Sequence, residues 1–271
     1  YRIFSEKQCE FLENMQMINL NEINGGFSTI YRLQVDNFEK VIKVINKNAI
    51  TRFNRNNYYQ DKKFYKNLDL LNISPKHKIL SKHIIQMDEI ISDFEINKDI
   101  FFKKKYLLKQ FKVKIYLLKN LKTSLVKKNL STEIINYKRI LKLIFNEEID
   151  DYKLKNYINA FPQDRVCHGD IHFKNLKLSN NNLYFLDWDY KVISSLSFEL
   201  AMFSYLEKFN KSQIKIISNL LNISYKEIEY FFPICKILDI VYFYISEKRT
   251  SNQKFKHKYL NEIKRFIVNN L

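Results

Sequence analysis

His168-Gly169-Asp170-Ile171-His172-Phe173-Lys174-Asn175, followed by Leu183-Tyr184-Phe185-Leu186-Asp187-Trp188-Asp189, is the stretch on which the reading of this chain turns. It places a carboxylate, Asp170, five residues before an amide, Asn175, and a second carboxylate, Asp187, at the end of an apolar run that reads as a strand. A carboxylate held in a loop can take a proton from a hydroxyl. Amide and carboxylate oxygens are the ligands Mg²⁺ takes, with water completing its shell. Ordinary turn and cap residues have little reason to occur together as this set. The two histidines read differently. His168 is expected to hold the loop through backbone hydrogen bonds, and neither it nor His172 has the spacing of a zinc ligand.

Upstream lie the other parts that phosphoryl transfer needs: a loop over the nucleotide phosphates and a cation to hold them. The chain has only three glycines, Gly169 inside the first run and the pair Gly25-Gly26. Glycine is required where φ is positive or where a ligand comes close to the backbone. Asn24-Gly25-Gly26-Phe27-Ser28 lies between strands predicted at 17–22 and 28–35, where its N–H groups are free to cover a phosphate. The next predicted strand, Val41–Ile45, carries Lys43. Alone, a Gly-Gly pair is equally a plain hairpin turn and a strand lysine equally a solvent-facing residue. Both gain their meaning from the Asp170, Asn175 and Asp187 set further along the chain.

Periodicity predicts short strands first and helices later, an α+β chain. A helix is expected at 5–16, a hairpin turn at Asp36-Asn37, a helix over 56–72 ended by Pro75, and strands near 78–81 and 83–91. From about 97 the pattern is helical, with further helices near 131–147, 149–160, 196–208, 211–221, 224–247 and 253–270. Two domains are expected: residues 1–94, a small sheet-rich nucleotide-binding lobe, and residues 95–271, a larger helical lobe for catalysis and substrate.

The net charge of +17 accompanies enrichment in lysine, asparagine and isoleucine, the drift of an A/T-rich coding bias in which lysine becomes the default surface residue. Residues 164–208 hold six acids against five bases, so the segment with the candidate chemistry is the least basic part and no nucleic-acid partner is expected. Three scattered cysteines, Cys9, Cys167 and Cys235, fit free thiols in a reducing compartment. No membrane span and no signal-peptide pattern is expected, which gives a cytoplasmic protein.

With these residues in order, the chain resembles the aminoglycoside phosphotransferase and choline kinase superfamily, small-molecule kinases with a protein-kinase-like fold. The match is dense only over 166–201. It has His168-Gly169-Asp170 and Asp187-Trp188-Asp189 where protein kinases use H-R-D and D-F-G. The resemblance implies ATP and Mg²⁺ as cofactors, with Asp170 as the catalytic base and Asn175 and Asp187 as metal ligands. It implies Lys43 and the Asn24–Ser28 loop on the phosphates. Asp61 stands where the family often has a glutamate paired with the lysine, one methylene shorter. Asp189 is an extra carboxylate that assists the metal or faces a cationic substrate. The Gly-Asp that commonly comes next is missing, with Ser195 expected as a helix N-cap in its place. Asp187-Trp188-Asp189-Tyr190 is similar to a run shared by thiamine and choline kinases, and Phe198-Glu199-Leu200-Ala201 begins a helix as the family does. The expected reaction is ATP-dependent phosphorylation of a small cationic alcohol, thiamine or choline. An aminoglycoside-type antibiotic phosphotransferase and a nucleotide-binding pseudokinase are the alternatives. Tyr190, Asp239, Tyr242 and Tyr244 are possible pocket walls, each also explained by ordinary packing.

Overall fold

β-Branched and aromatic residues dominate Ser28–Val35 and Phe38–Ile45, and in the computed structural model they form two paired strands. The structure describes residues 21–24, 28–35, 38–45, 58–250 and 260–271. The helix expected at 5–16 and residues Gly25, Gly26 and Phe27 lie outside these. Strands β1 (Asn21–Asn24), β2 (Ser28–Val35), β3 (Phe38–Ile45), β4 (His77–Ser81) and β5 (Ile84–Asp88) make one antiparallel sheet in the order β1-β2-β3-β5-β4. β2 and β3 stay in register as far as Val35 opposite Phe38, and the turn expected at Asp36-Asn37 lies outside the described residues.

Side chains alternate between the two faces of a strand. Tyr31, Ile42, Val44 and Ile84 therefore gather into one apolar cluster. Lys43, opposite Ile30 and Ile85, takes the other face of β3. Helix α1 (Lys62–Leu70) follows, burying Phe64, Tyr65 and Leu68. Asp69 near its end accepts from the His77 backbone N–H at 3.0 Å and pairs with the His77 ring at 2.6 Å, which ties the helix to the start of β4.

Two compact units emerge, and they are not contiguous in sequence. The first runs to Glu95 and also takes Lys177–Asp189; the second holds Ile96–Leu176 and Tyr190–Leu271. The expected partition has a single cut at 94/95. Packing joins 177–189 to the first unit because the Phe185 N–H donates to Ile73 O at 2.8 Å and the Asp93 N–H to Leu178 O at 2.8 Å. Trp188 also meets Phe64 edge to face at 5.6 Å. Within this segment β7 (Leu176–Ser179) and β8 (Asn182–Phe185) form a hairpin. Its turn residues Asn180 and Asn181 have φ of 50° and 59°, which suits a type I′ connection.

The second unit is helical. It contains α2 (Lys98–Lys103), α3 (Lys105–Leu118), α4 (Leu130–Asn136), α5 (Lys138–Phe145), α6 (Asp151–Ile158), α7 (Leu196–Leu206), α8 (Lys211–Leu221), α9 (Tyr225–Tyr230), α10 (Phe232–Thr250) and α11 (Leu260–Asn270). The spans expected as single helices at 131–147 and 224–247 are each broken, at Tyr137 and Phe231. Caps set several starts: Asn97, Asn129, Asp150, Ser195 and Asn210 each accept a first-turn N–H. The Ser195 bond, 3.1 Å from the Phe198 N–H, is the cap expected from the sequence. α7 is buried along nearly its whole length and is the axis of this unit. Phe101, Phe111 and Phe173 pack ring against ring with its Phe203. Strand β6 (Arg165–Cys167) pairs antiparallel with β9 (Val192–Ser194) and delivers the chain to His168.

Candidate active site

The site residues fall into two groups, one in each unit. In the first unit the Lys43 ammonium lies 2.6 Å from Asp187 Oδ1 and 2.7 Å from Asp189 Oδ2. Lys43 is 4% exposed. Burial pushes its pKa down, but the two carboxylates outweigh that and hold it above the ordinary lysine range. Tyr58 and Tyr65 close the same region. Burial first raises both phenols, followed by the charge of Asp189 at Tyr58 and by Tyr58 and then Asp189 at Tyr65, so both are neutral.

Asp187 follows β8 with a φ of 62°. A left-handed non-glycine residue is strained, and such strain collects at functional positions. Its side chain is 36% exposed, while that of Asp189 is 7% exposed. Asp187 and Asp189 both hold the Lys43 ammonium. Asp61 precedes α1, and its charge acts on Tyr58 and Tyr65. Ser28 opens β2 as a buried residue, and Asn24 ends β1 opposite Thr29.

In the second unit the loop after β6 is fixed at both ends by carboxylates of α7 and its C-cap. The Gly169 N–H donates to Glu199 Oε2 at 3.3 Å, and the Phe173 N–H to Glu207 Oε1 at 2.6 Å. His168 is fully buried and its Nδ1 accepts from the Asp170 N–H at 3.3 Å, the structural role expected for it. Asn175 donates from Nδ2 to Asp170 O at 3.0 Å and to Asp170 Oδ2 at 3.3 Å. Both donations come from the amide nitrogen, and neither uses the amide oxygen. His172 Nε2 is 3.8 Å from Asp170 Oδ2. Asp170 is thus a part-buried carboxylate in a loop fixed at several points.

Gly169 has a φ of 77°, and a Cβ there would sit 2.3 Å from the Tyr190 carbonyl oxygen. Gly169→Ala is therefore expected to cost more than the ~1–2 kcal/mol of left-handed backbone alone. Urea unfolding reads this directly; an unchanged midpoint would contradict the geometry.

Glu199 was legible only as the start of a helix. It is 1% exposed, and burial pushes its pKa up to about 7, against opposing pulls from the Gly169 N–H, the Cys167 thiol and Arg165. Its Oε1 is buried without a hydrogen-bond partner. With a folded pKa above the unfolded value of 4.5, the folded state binds this proton more tightly, so the stability it confers is lost as pH rises towards 7. Relative to Glu199→Gln, the wild type should lose up to ~3 kcal/mol of unfolding free energy between pH 5 and pH 8. Equal slopes in urea titrations at the two pH values would remove this assignment.

Among the described residues no group of three or more His, Cys, Asp or Glu side chains is arranged to hold a metal. The Asn175 amide in the second unit and the Asp187 carboxylate in the first each offer oxygen, the kind of donor a hard cation such as Mg²⁺ takes and zinc does not favour.

No protein-family model matches the sequence, and no curated protein matches it. Solved structures do match. A choline kinase from Streptococcus pneumoniae is similar over 96% of this chain and 96% of its own, at a TM-score of 0.64 and 16% identity. A choline/ethanolamine kinase family protein from Mesorhizobium loti is similar over 96% of this chain and 90% of its own, at 0.67 and 14%. A thermostable mutant of an aminoglycoside phosphotransferase, in a ternary complex with ADP and hygromycin B, is similar over 98% and 99%, at 0.62 and 10%. The chain has the α+β kinase-like fold that these structures share. At such identities the likeness is one of fold.

Proposed function

We propose that the protein is an ATP-dependent kinase that transfers the γ-phosphoryl group to the hydroxyl of a small cationic alcohol, choline or thiamine. The observation that carries the reading is the 2.6 Å contact between Lys43 and Asp187, residues 144 positions apart. Each stands out in the sequence for a different part of phosphoryl transfer, and a chance assortment of turn and strand residues has no reason to bring them together. Solved structures of the same fold that are titled choline kinase, or that hold ADP, support the same chemistry.

Asp170 is assigned as the base. Its carboxylate takes the proton of the acceptor hydroxyl as that oxygen bonds to the γ-phosphorus. The bond from the γ-phosphorus to the bridging oxygen breaks, and ADP leaves with the electron pair. Lys43 has three N–H donors, two of them directed at Asp187 and Asp189, and the third is assigned to a phosphate oxygen. The backbone of Asn24–Ser28 is assigned to the phosphates as well. Asn175 and Asp187 each supply an oxygen ligand of the kind magnesium takes. When bound, magnesium neutralises charge on the phosphate oxygens. Asp189 is assigned to hold Lys43, not to bind metal.

A cationic acceptor calls for aromatic faces and carboxylates. In the second unit Tyr190 and Tyr242 meet edge to face at 6.4 Å, each 38% exposed. Asp239, one turn before Tyr242, accepts from the Tyr205 hydroxyl at 2.6 Å. The buried free thiols of Cys167 and Cys235 suit the cytoplasm to which the reading assigns the protein.

The test is ADP release with Mg²⁺ and ATP over a panel of choline, thiamine, ethanolamine and an aminoglycoside, with Asp170→Ala as control. Release stimulated by a cationic alcohol and lost in the control is expected. No stimulation by any acceptor, or full activity in the control, overturns the reading.

A further inference from the structure

Helix α3 carries a surface that the proposed chemistry does not use. Between residues 100 and 132 the chain has ten lysines, no arginine, and no aspartate or glutamate. The helix buries Leu107, Phe111, Ile115 and Leu118 on one side. On the other, Tyr106, Val113 and Tyr116 remain 40%, 44% and 42% exposed. With Lys109 they follow the spacing i, i+3, i+7, i+10, which is one stripe of a helix. Lys105 and Lys112 border that stripe. Lys104 Nζ sits 5.6 Å from the centre of the Tyr106 ring and Lys112 Nζ 5.8 Å from that of Tyr116. The face is thus basic and aromatic at once, with an exposed valine in the middle.

We propose that this face of α3 docks the protein on an anionic phospholipid surface. Three features favour lipid over nucleic acid. The cations are all lysine, compact point charges without the arginine forks that recognise nucleic-acid phosphate and bases in pairs. The tyrosines suit a boundary where one end of the ring is dry and the other wet. Val113 gains nothing beside a phosphate backbone but is stabilised among acyl chains. No helix among the described residues is long and apolar enough to cross a membrane, so the contact is a surface one.

The test is sedimentation of the full chain with vesicles of 30 mol% phosphatidylglycerol in phosphatidylcholine, against pure phosphatidylcholine. Binding to the first only is expected. Lys105→Glu/Lys109→Glu/Lys112→Glu should weaken it on the order of 100-fold, since each lysine near such a surface contributes about five-fold. Val113→Asp should weaken it about ten-fold, including at raised salt, where an electrostatic contact alone would already be screened. Circular dichroism and melting establish that both variants fold; if either does not, Tyr106→Ser/Tyr116→Ser takes its place. Absence of vesicle binding overturns the proposal, as does binding that none of these changes weakens. Binding of duplex DNA or RNA through the same lysines, with no vesicle binding, also overturns it.

Discussion

Asp170→Ala is expected to lower turnover by about 10³-fold, while nucleotide affinity stays within about two-fold of the wild type. A positioned base contributes roughly 10²–10⁴ to a proton-transfer step, and the higher part of that range applies when no neighbouring group can take over. The substitution should leave the loop standing. Asn175 still donates to the Asp170 backbone carbonyl at 3.0 Å, and the Gly169 and Phe173 N–H groups keep Glu199 and Glu207. What disappears is one 3.3 Å bond from Asn175 and the facing charge beside His172. Asp170→Asn separates charge from shape, because its amide oxygen can still accept from Asn175. Turnover in the two variants should fall alike, with melting temperatures near the wild type. If Asn restores activity that Ala lacks, Asp170 is a scaffold and not a base.

Lys43→Met is expected to destabilise the first unit by ~3–5 kcal/mol, the cost of removing one partner from a buried ion pair. Met keeps the length and the apolar stem. The deficit therefore reports the charge, with Asp187 and Asp189 left facing each other and Asp189 only 7% exposed. Adding Asp189→Asn to Lys43→Met should recover part of the loss. A double-mutant cycle over the two positions should return a coupling well above ~0.5 kcal/mol, the scatter of independent sites. Urea unfolding measures both values. Additive effects would mean that the 2.7 Å contact carries no energy.

The loop around Asp170 and the order of elements were legible because both are largely local. Gly169, Asp170 and Asn175 lie within seven residues, and Asn175 and His168 bond to Asp170 within that run. The β2–β3 hairpin was legible for the same reason. The meeting of Lys43 with Asp187 and Asp189 was not. Asp187 is 144 residues away, and only the folding of 177–189 onto the first unit brings these carboxylates to the lysine. The breaks at Tyr137 and Phe231 escaped because the apolar rhythm runs on through them. Ile134, Tyr137, Ile140 and Leu141 keep helical spacing across the first break and are all buried. The anchoring role of Glu199 also left no trace, since an acid in a first helical turn is ordinary. It is the surrounding burial that makes this one unusual.

Among the described residues, left-handed backbone is mostly the work of asparagine. Asn72, Asn146, Asn180, Asn181 and Asn222 have φ between 50° and 59°, at turns and helix ends where glycine is the common choice. Asparagine tolerates that conformation because its short side chain can bond locally. At position 169 that choice is closed, because a carbonyl oxygen occupies the space a Cβ would need. There the glycine marks crowding, not suppleness.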